Sequence, residues 1–182
     1  MIRIGLFVIC TLFFLRFSWS CLKNPGTHGF YRFFVFEGLL LLVLLNHPYW
    51  FSSPFSPVHI LSWLLLLISV FLITQSLLML KKRGGYAERE SMPENHYFEN
   101  TVNVVEDGIY KYIRHPMYSS LLFLGWGAFL KDIRLLTLVL VLFVTLFLVA
   151  AARVEEHENI RFFGVSYKEY MKRSRMFVPW LV

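Results

Sequence analysis

"VHILSWLLLLISVFLITQSLLML", residues 58 to 80, runs for 23 positions without an aspartate, glutamate, lysine or arginine. A helix of that length reaches about 34 Å, more than the roughly 30 Å of bilayer hydrocarbon. The stretch therefore predicts a membrane-spanning helix. The composition around it agrees: 57% of residues are hydrophobic, 16% are charged, and phenylalanine alone occurs 19 times in 182 positions. A soluble protein of this size could not cover so much apolar surface with so little polar skin.

Four further apolar stretches surround this one. Ile4 to Leu22 is interrupted only by Arg16, and Phe33 to Leu45 contains Glu37. Met117 to Leu130 is 14 residues long, and Leu135 to Ala152 is 18 residues long, the two separated by Lys131-Asp132-Ile133-Arg134. The pattern predicts an all-α, polytopic membrane helix bundle with about five transmembrane helices. Fourteen helical residues reach only about 21 Å. The fourth helix must therefore borrow polar-side residues or stop short of a full crossing. Ser18-Trp19-Ser20 loosely resembles a signal-peptide cleavage site, but Trp19 and the internal Arg16 favour a retained first helix. Residues 1–182 read as a single domain, with three helices in 1–80 and a helical hairpin with a tail in 81–182.

The basic residues are distributed unevenly. With five spans, the first and third loops and the C-terminal tail share one side and hold fourteen lysines and arginines, against three on the other side. By the positive-inside rule, residues 81–116 and 153–182 are then cytoplasmic and the N-terminus is outside. The net charge of +6 thus reflects topology, and no nucleic-acid partner is expected. Cys10 and Cys21, both in the first stretch, match no metal spacing and cannot reach each other along one helix, so they read as inert thiols.

The two cytoplasmic segments are rich in aromatic residues. The first carries Gly84-Gly85, Pro93, Tyr97, Phe98, Tyr110 and Tyr112; the tail carries Phe162-Phe163-Gly164, then Tyr167, Tyr170 and Met171 on one helical face. Together they are expected to cap the helix ends, the alternative for the tail being a helix lying flat on the membrane.

Two clusters could carry chemistry. In "YKYIRHPMY", residues 110 to 118, Pro116 suits the first turn of a helix, where its missing N–H goes unmissed. His115 then stands at the helix entrance, where free backbone donors favour an anion. Arg114 adds a fixed charge, and Tyr110 and Tyr118 offer ring faces to a cation. In "RVEEHENIRFFGVSYKEYM", residues 153 to 171, Glu155 and Glu156 follow the last span at a depth where carboxylates are uncommon unless paired or functional. His157 and Glu158 complete no metal-ligand spacing, so no metal is expected. Arg32 and Glu37 lie five apart, poorly placed to pair with each other, and read as structural charges that meet other helices.

In combination these motifs resemble the isoprenylcysteine carboxyl methyltransferase superfamily, which includes phospholipid methyltransferases and related small membrane methyltransferases. The resemblance is carried by "GIYKYIRHPMYSS" from Gly108, the Glu155-Glu156 pair, Phe163-Gly164 and the tail tyrosines, over residues 96–180. It implies S-adenosyl-L-methionine bound in a cytoplasmic pocket. Carried across residue by residue, Val102, Asn103, Val104, Val105, Tyr110, His115, Pro116, Met117, Tyr118 and Glu155 would hold this cofactor. The absence of a Gly-x-Gly-x-x-Gly motif fits a family that does not use a Rossmann domain.

One position departs from the family pattern. The substrate-side arginine of the family lies four residues before the first glutamate, where this chain has Ala151; Arg153 is the nearest replacement. Arg153 and Glu156 are the residues expected to act on the acceptor. That acceptor would be membrane-embedded or lipid-linked, most like an isoprenylcysteine carboxylate, with a phospholipid amine or a small thiol as alternatives. A membrane reductase of similar fold and a non-catalytic membrane protein are the competing readings.

Overall fold

The computed structural model describes residues 2–85 and 101–179. Pro93, Tyr97 and Phe98 of the expected cap lie outside the described residues. Six α-helices account for most of what is described: α1 (Ile2–Leu22), α2 (His28–Asn46), α3 (Pro57–Met79), α4 (Pro116–Phe129), α5 (Leu135–Phe163) and α6 (Val165–Arg173). A π-helical turn, Leu80–Gly84, extends α3, and a short 3-10 turn, Gly108–Lys111, precedes α4. α1, α2, α3 with its extension and α5 are each long and apolar enough to cross a membrane, and the chain is an integral membrane protein.

Local chemistry sets the helix boundaries. α3 begins at Ser56-Pro57, where the Ser56 hydroxyl accepts the His59 amide at 3.3 Å and Pro57 occupies the first helical position. α4 begins at Pro116 and ends at Phe129 after 14 residues. It borrows nothing from the polar side and is the short member of the bundle. α5, by contrast, continues eleven residues past the apolar stretch that ends at Ala152, carrying Glu155, Glu156 and Glu158 on the same rigid rod. Gly164 ends it with a φ of +65°, a left-handed conformation that glycine adopts without penalty, and so turns the chain into α6.

The core runs between α2, α4 and α5. Val35 and Leu39 of α2 meet Tyr118 of α4 and Val144, Leu148, Ala151 and Ala152 of α5 in one buried cluster that also takes in Phe177 from the tail. α3 approaches α4 closely at Gly127, where Ser62 donates to the Gly127 carbonyl at 2.6 Å and a Cβ would meet Leu66 at 3.0 Å. At the α4–α5 turn, buried Asn46 donates to the carbonyls of Ala128 at 2.8 Å and Asp132 at 3.3 Å, supplying partners that the end of a helix lacks. His59 bonds the Lys131 carbonyl at 3.1 Å, and the Lys131 ammonium stands 3.4 Å over the Trp63 ring. This end of the bundle is thereby pinned shut, and the cavity lies at the other end.

Candidate active site

Arg114, His115 and Pro116 stand where the chain passes from the cap into α4. The backbone here is held by the tail. Arg114 N donates to Arg175 O at 2.7 Å, Arg175 N to Tyr112 O at 2.9 Å, and His115 N to Met176 O at 3.2 Å. Ser119, one turn into α4, donates its hydroxyl to Phe177 O at 2.7 Å. The tail therefore crosses the mouth of α4 in an extended run. The expectation of a cap over the helix ends holds for the tail, and α6 folds inward: Tyr167 and Tyr170 are buried, and Tyr170 Oη donates to Tyr110 O at 2.7 Å. Tyr110 in turn shares a 2.5 Å hydrogen bond with Ser76 of α3.

Behind this clasp lies a cavity of about 350 Å³, within the ~300–1,000 Å³ range of small-molecule sites. Asn103, Val104, Val105, Tyr110, His115, Pro116, Met117, Tyr118 and Glu155 all line it. Val102, the remaining residue expected to hold the cofactor, points away and is 45% exposed; its amide and that of Asn103 both donate to Gly84 O, which anchors the loop. Thr101, Arg114, Asn159, Phe163, Tyr167 and Tyr170 complete the polar and aromatic wall. α1 and α2 contribute Phe17, Arg32 and Phe36, while Ile73 and Leu80 come from the α3 side.

The ionisable groups form a chain across the floor. His115 Nδ1 is 3.8 Å from Glu155 Oε1, and its Nε2 is 3.5 Å from Glu156 Oε1. The imidazole stacks on Tyr118 with ring centroids 5.5 Å apart. Glu156 accepts from Arg114 Nε at 2.7 Å, and the same guanidinium donates to the carbonyls of Met171 and Ser174. Glu158 accepts from the His28 amide at 3.1 Å and meets His28 Nδ1 at 2.6 Å, tying α5 to the start of α2. Burial pushes the hydroxyls of Tyr110, Tyr167 and Tyr170 above the ordinary tyrosine range, so they stay neutral donors.

Of the residues expected to act on the acceptor, neither lines the cavity. Arg153 is exposed on the outside of α5, and Glu156 is turned to Arg114 and His115. Arg32, read from sequence as a structural charge, lines the cavity instead. Glu37 behaves as expected of a charge that meets another helix: it accepts from Thr11 of α1 at 2.8 Å. Tyr167 and Tyr170 were visible in the sequence as a helical face, but nothing in that spacing says which way the face turns. Among the described residues, no group of three or more His, Cys, Asp or Glu side chains could hold a metal ion.

The residues present fit S-adenosylmethionine. A half-buried carboxylate at Glu155 on the cavity wall suits an ammonium or a pair of ribose hydroxyls, and four tyrosine rings suit a sulfonium. The first turn of α4, entered at His115 and Pro116 on the cavity wall, has free backbone donors that suit a carboxylate.

Residues 57–166 match the family of phospholipid methyltransferases. The chain is also 30% identical over 130 residues to a methanethiol S-methyltransferase from Pseudomonas deceptionensis, covering 71% of this chain and 47% of that protein. A protein of the same name from Crocosphaera subtropica is 25% identical over 128 residues, covering 70% of this chain and 47% of its own. The chain thus spans about half the length of the curated relatives it matches. No solved structure matches it.

Proposed function

We propose that the chain, which belongs to the phospholipid methyltransferase family, carries a methyl group from S-adenosylmethionine to a small apolar thiol that reaches the site from the bilayer. One observation carries this reading. A single cavity joins the Glu155–His115–Tyr118 cluster to an apolar wall whose Phe17 is itself 49% exposed on the outer face of α1. A polar cofactor and an apolar acceptor can then meet without either crossing the other's medium.

When bound, S-adenosylmethionine supplies a methyl group on a sulfonium, open to in-line displacement. Glu155 and the first turn of α4 would hold its amino-acid end or ribose. Tyr110, Tyr118, Tyr167 and Tyr170 would surround the sulfonium with ring faces and exclude water. Holding both reactants in line supplies several kcal/mol of barrier lowering, about 7 to 11 in well-oriented cases. No covalent intermediate with the protein is needed.

The acceptor class rests on the relatives, whose names specify methanethiol, and on the acceptor side of the site. An isoprenylcysteine carboxylate would want a cation on α5, but position 151 is a fully buried alanine and Arg153 faces outward. A phospholipid amine is the acceptor that the family name suggests. The positive-inside count favours a site open to the cytoplasm.

The test is direct. Purified protein is incubated with methyl-labelled S-adenosylmethionine and, separately, methanethiol, an isoprenylcysteine analogue and phosphatidylethanolamine vesicles. Labelled dimethyl sulfide is the expected product. Label only in an ester or a lipid overturns the thiol assignment, and failure to bind the cofactor overturns the methyltransferase reading itself.

A further inference from the structure

Glu155, Asn159 and Phe163 of α5 follow one another at intervals of four residues, and all three line the cavity. Four residues of helix advance about 6 Å and turn about 40° past a full circle, so the three side chains form a ladder on one side of the rod. The ladder leads away from the bilayer, because α5 leaves its apolar stretch at Ala152 and continues to Phe163. The apolar wall of Phe17 and Phe36 comes instead from α1 and α2. A cofactor that presents its sulfonium to an acceptor on that wall has room for its nucleoside along the ladder.

The three rungs are chemically distinct. Glu155 is a carboxylate, suited to paired ribose hydroxyls. Asn159 is a half-buried carboxamide beside the Tyr167 hydroxyl, which occupies one of its hydrogen-bonding sites. A donor N–H and an acceptor oxygen remain. Such a pair matches the edge of adenine that carries an amino group next to a ring nitrogen. Phe163 adds an aromatic face, its ring nearly parallel to that of Tyr167 at 19° with centroids 6.2 Å apart. Both rungs beyond Glu155 are uncharged, as suits a neutral heterocycle. Asn103 also lines the cavity, but it is exposed, and water competes for its carboxamide. Arg114 is taken by Glu156 and by the carbonyls of Met171 and Ser174.

We propose that Asn159 reads the base of S-adenosylmethionine, pairing its carboxamide with the amino-bearing edge of adenine while the base stacks on Phe163; the assignment rests on the cofactor reading above. Stacking contributes affinity with little choice among bases, since every base has a π face. The carboxamide contributes the choice. A base without the amino donor leaves the Asn159 carbonyl oxygen unpaired in a half-closed site and is rejected for that reason. Glu155 then takes the ribose, and the amino-acid end goes to the first turn of α4.

Calorimetry on the purified full chain compares three compounds. They are S-adenosylhomocysteine, S-inosylhomocysteine (a carbonyl in place of the amino group of the base) and methylthioadenosine (no amino-acid end). The unaltered protein should prefer the adenosyl to the inosyl compound by roughly tenfold to hundredfold. Asn159→Leu should erase this preference by weakening S-adenosylhomocysteine and not its inosyl counterpart, and should weaken methylthioadenosine by the same factor. Equal affinity of the unaltered protein for the adenosyl and inosyl compounds overturns the proposal. So does an equal loss for both in Asn159→Leu, which makes Asn159 only a support for α6 through Tyr167. A loss for S-adenosylhomocysteine that spares methylthioadenosine moves Asn159 to the amino-acid end and overturns it as well. Where Asn159→Leu does not fold, Asn159→Ser is judged by the same ratios. An unaltered protein that binds none of the three fails the cofactor reading itself, and the proposal falls with it.

Discussion

Glu156 Oε1 lies 2.7 Å from Arg114 Nε, both side chains almost buried, while Glu155, one residue earlier, lines the cavity. Successive positions on a helix differ by about 100°, so adjacent carboxylates cannot serve one ligand atom. Here the two have separate tasks. Glu156 fastens the chain before α4 to α5, and through the guanidinium of Arg114 it reaches the carbonyls of Met171 and Ser174 in the tail.

Glu156→Ala should therefore act on stability. Removing one partner of a buried, hydrogen-bonded ion pair leaves the other charge stranded, at a cost of about 3 to 5 kcal/mol. Denaturant unfolding of the purified protein should show a loss of that order, together with easier proteolysis in the tail. An unaltered midpoint would mean that the pair contributes nothing to holding the tail.

Glu155→Gln should act on the cofactor. A charge-assisted hydrogen bond of about 1.5 to 3 kcal/mol corresponds to a roughly tenfold to hundredfold loss of affinity. Calorimetry with S-adenosylmethionine should register it with little change in the unfolding midpoint. A Kd that matches the unsubstituted protein would move the cofactor elsewhere in the cavity.

How much of this could be read from the sequence differs from residue to residue, for physical reasons. The charge-free run that became α3 and the Arg114-His115-Pro116 start of α4 are local signals: length and a missing N–H determine them without reference to the rest of the chain. Glu155 stood out because a carboxylate at the end of a span is costly. Arg32 gave no such sign. Its place on the cavity wall depends on how α2 packs against α5, more than 100 residues away in sequence, and no periodicity encodes that. The inward turn of Tyr167 and Tyr170 was equally hidden, since one amphipathic face serves a membrane surface or a protein wall. Apolar content marks where α5 leaves the bilayer, at Ala152, and not where the helix ends, at Phe163.

The buried tyrosines imply alkaline sensitivity. Burial raises the pKa of Tyr110, Tyr167 and Tyr170 above the unfolded value of about 10. Below pH 10 both states hold the phenolic proton and the contribution is fully present. Above it the unfolded chain loses protons that the folded chain keeps, so stability falls as pH rises. Unfolding midpoints should be flat from neutral pH to about 9 and then drop, and Tyr167→Phe should soften the drop. A midpoint independent of pH up to 11 would mean that these hydroxyls reach water.

The last prediction concerns which side of the membrane holds the site. The two ends of the bundle are chemically distinct. One carries Ser52, Ser53 and the Lys131–Trp63 stack; the other carries the cavity, α6 and its exposed Lys168 and Lys172. The fourteen-to-three imbalance of basic residues predicts a cytoplasmic location for the second end. Ser174 is a poor probe of this, because it is buried and bonded to Tyr170 O at 2.8 Å. Ser53 and Lys172 are both exposed. In a background without Cys10 and Cys21, Ser53→Cys should react with a membrane-impermeant maleimide on intact cells, and Lys172→Cys only after the membrane is opened. The reverse pattern would place the cavity outside, where a cytoplasmic supply of S-adenosylmethionine could not reach it. Labelling of both from one side would mean that an odd number of crossings does not separate them.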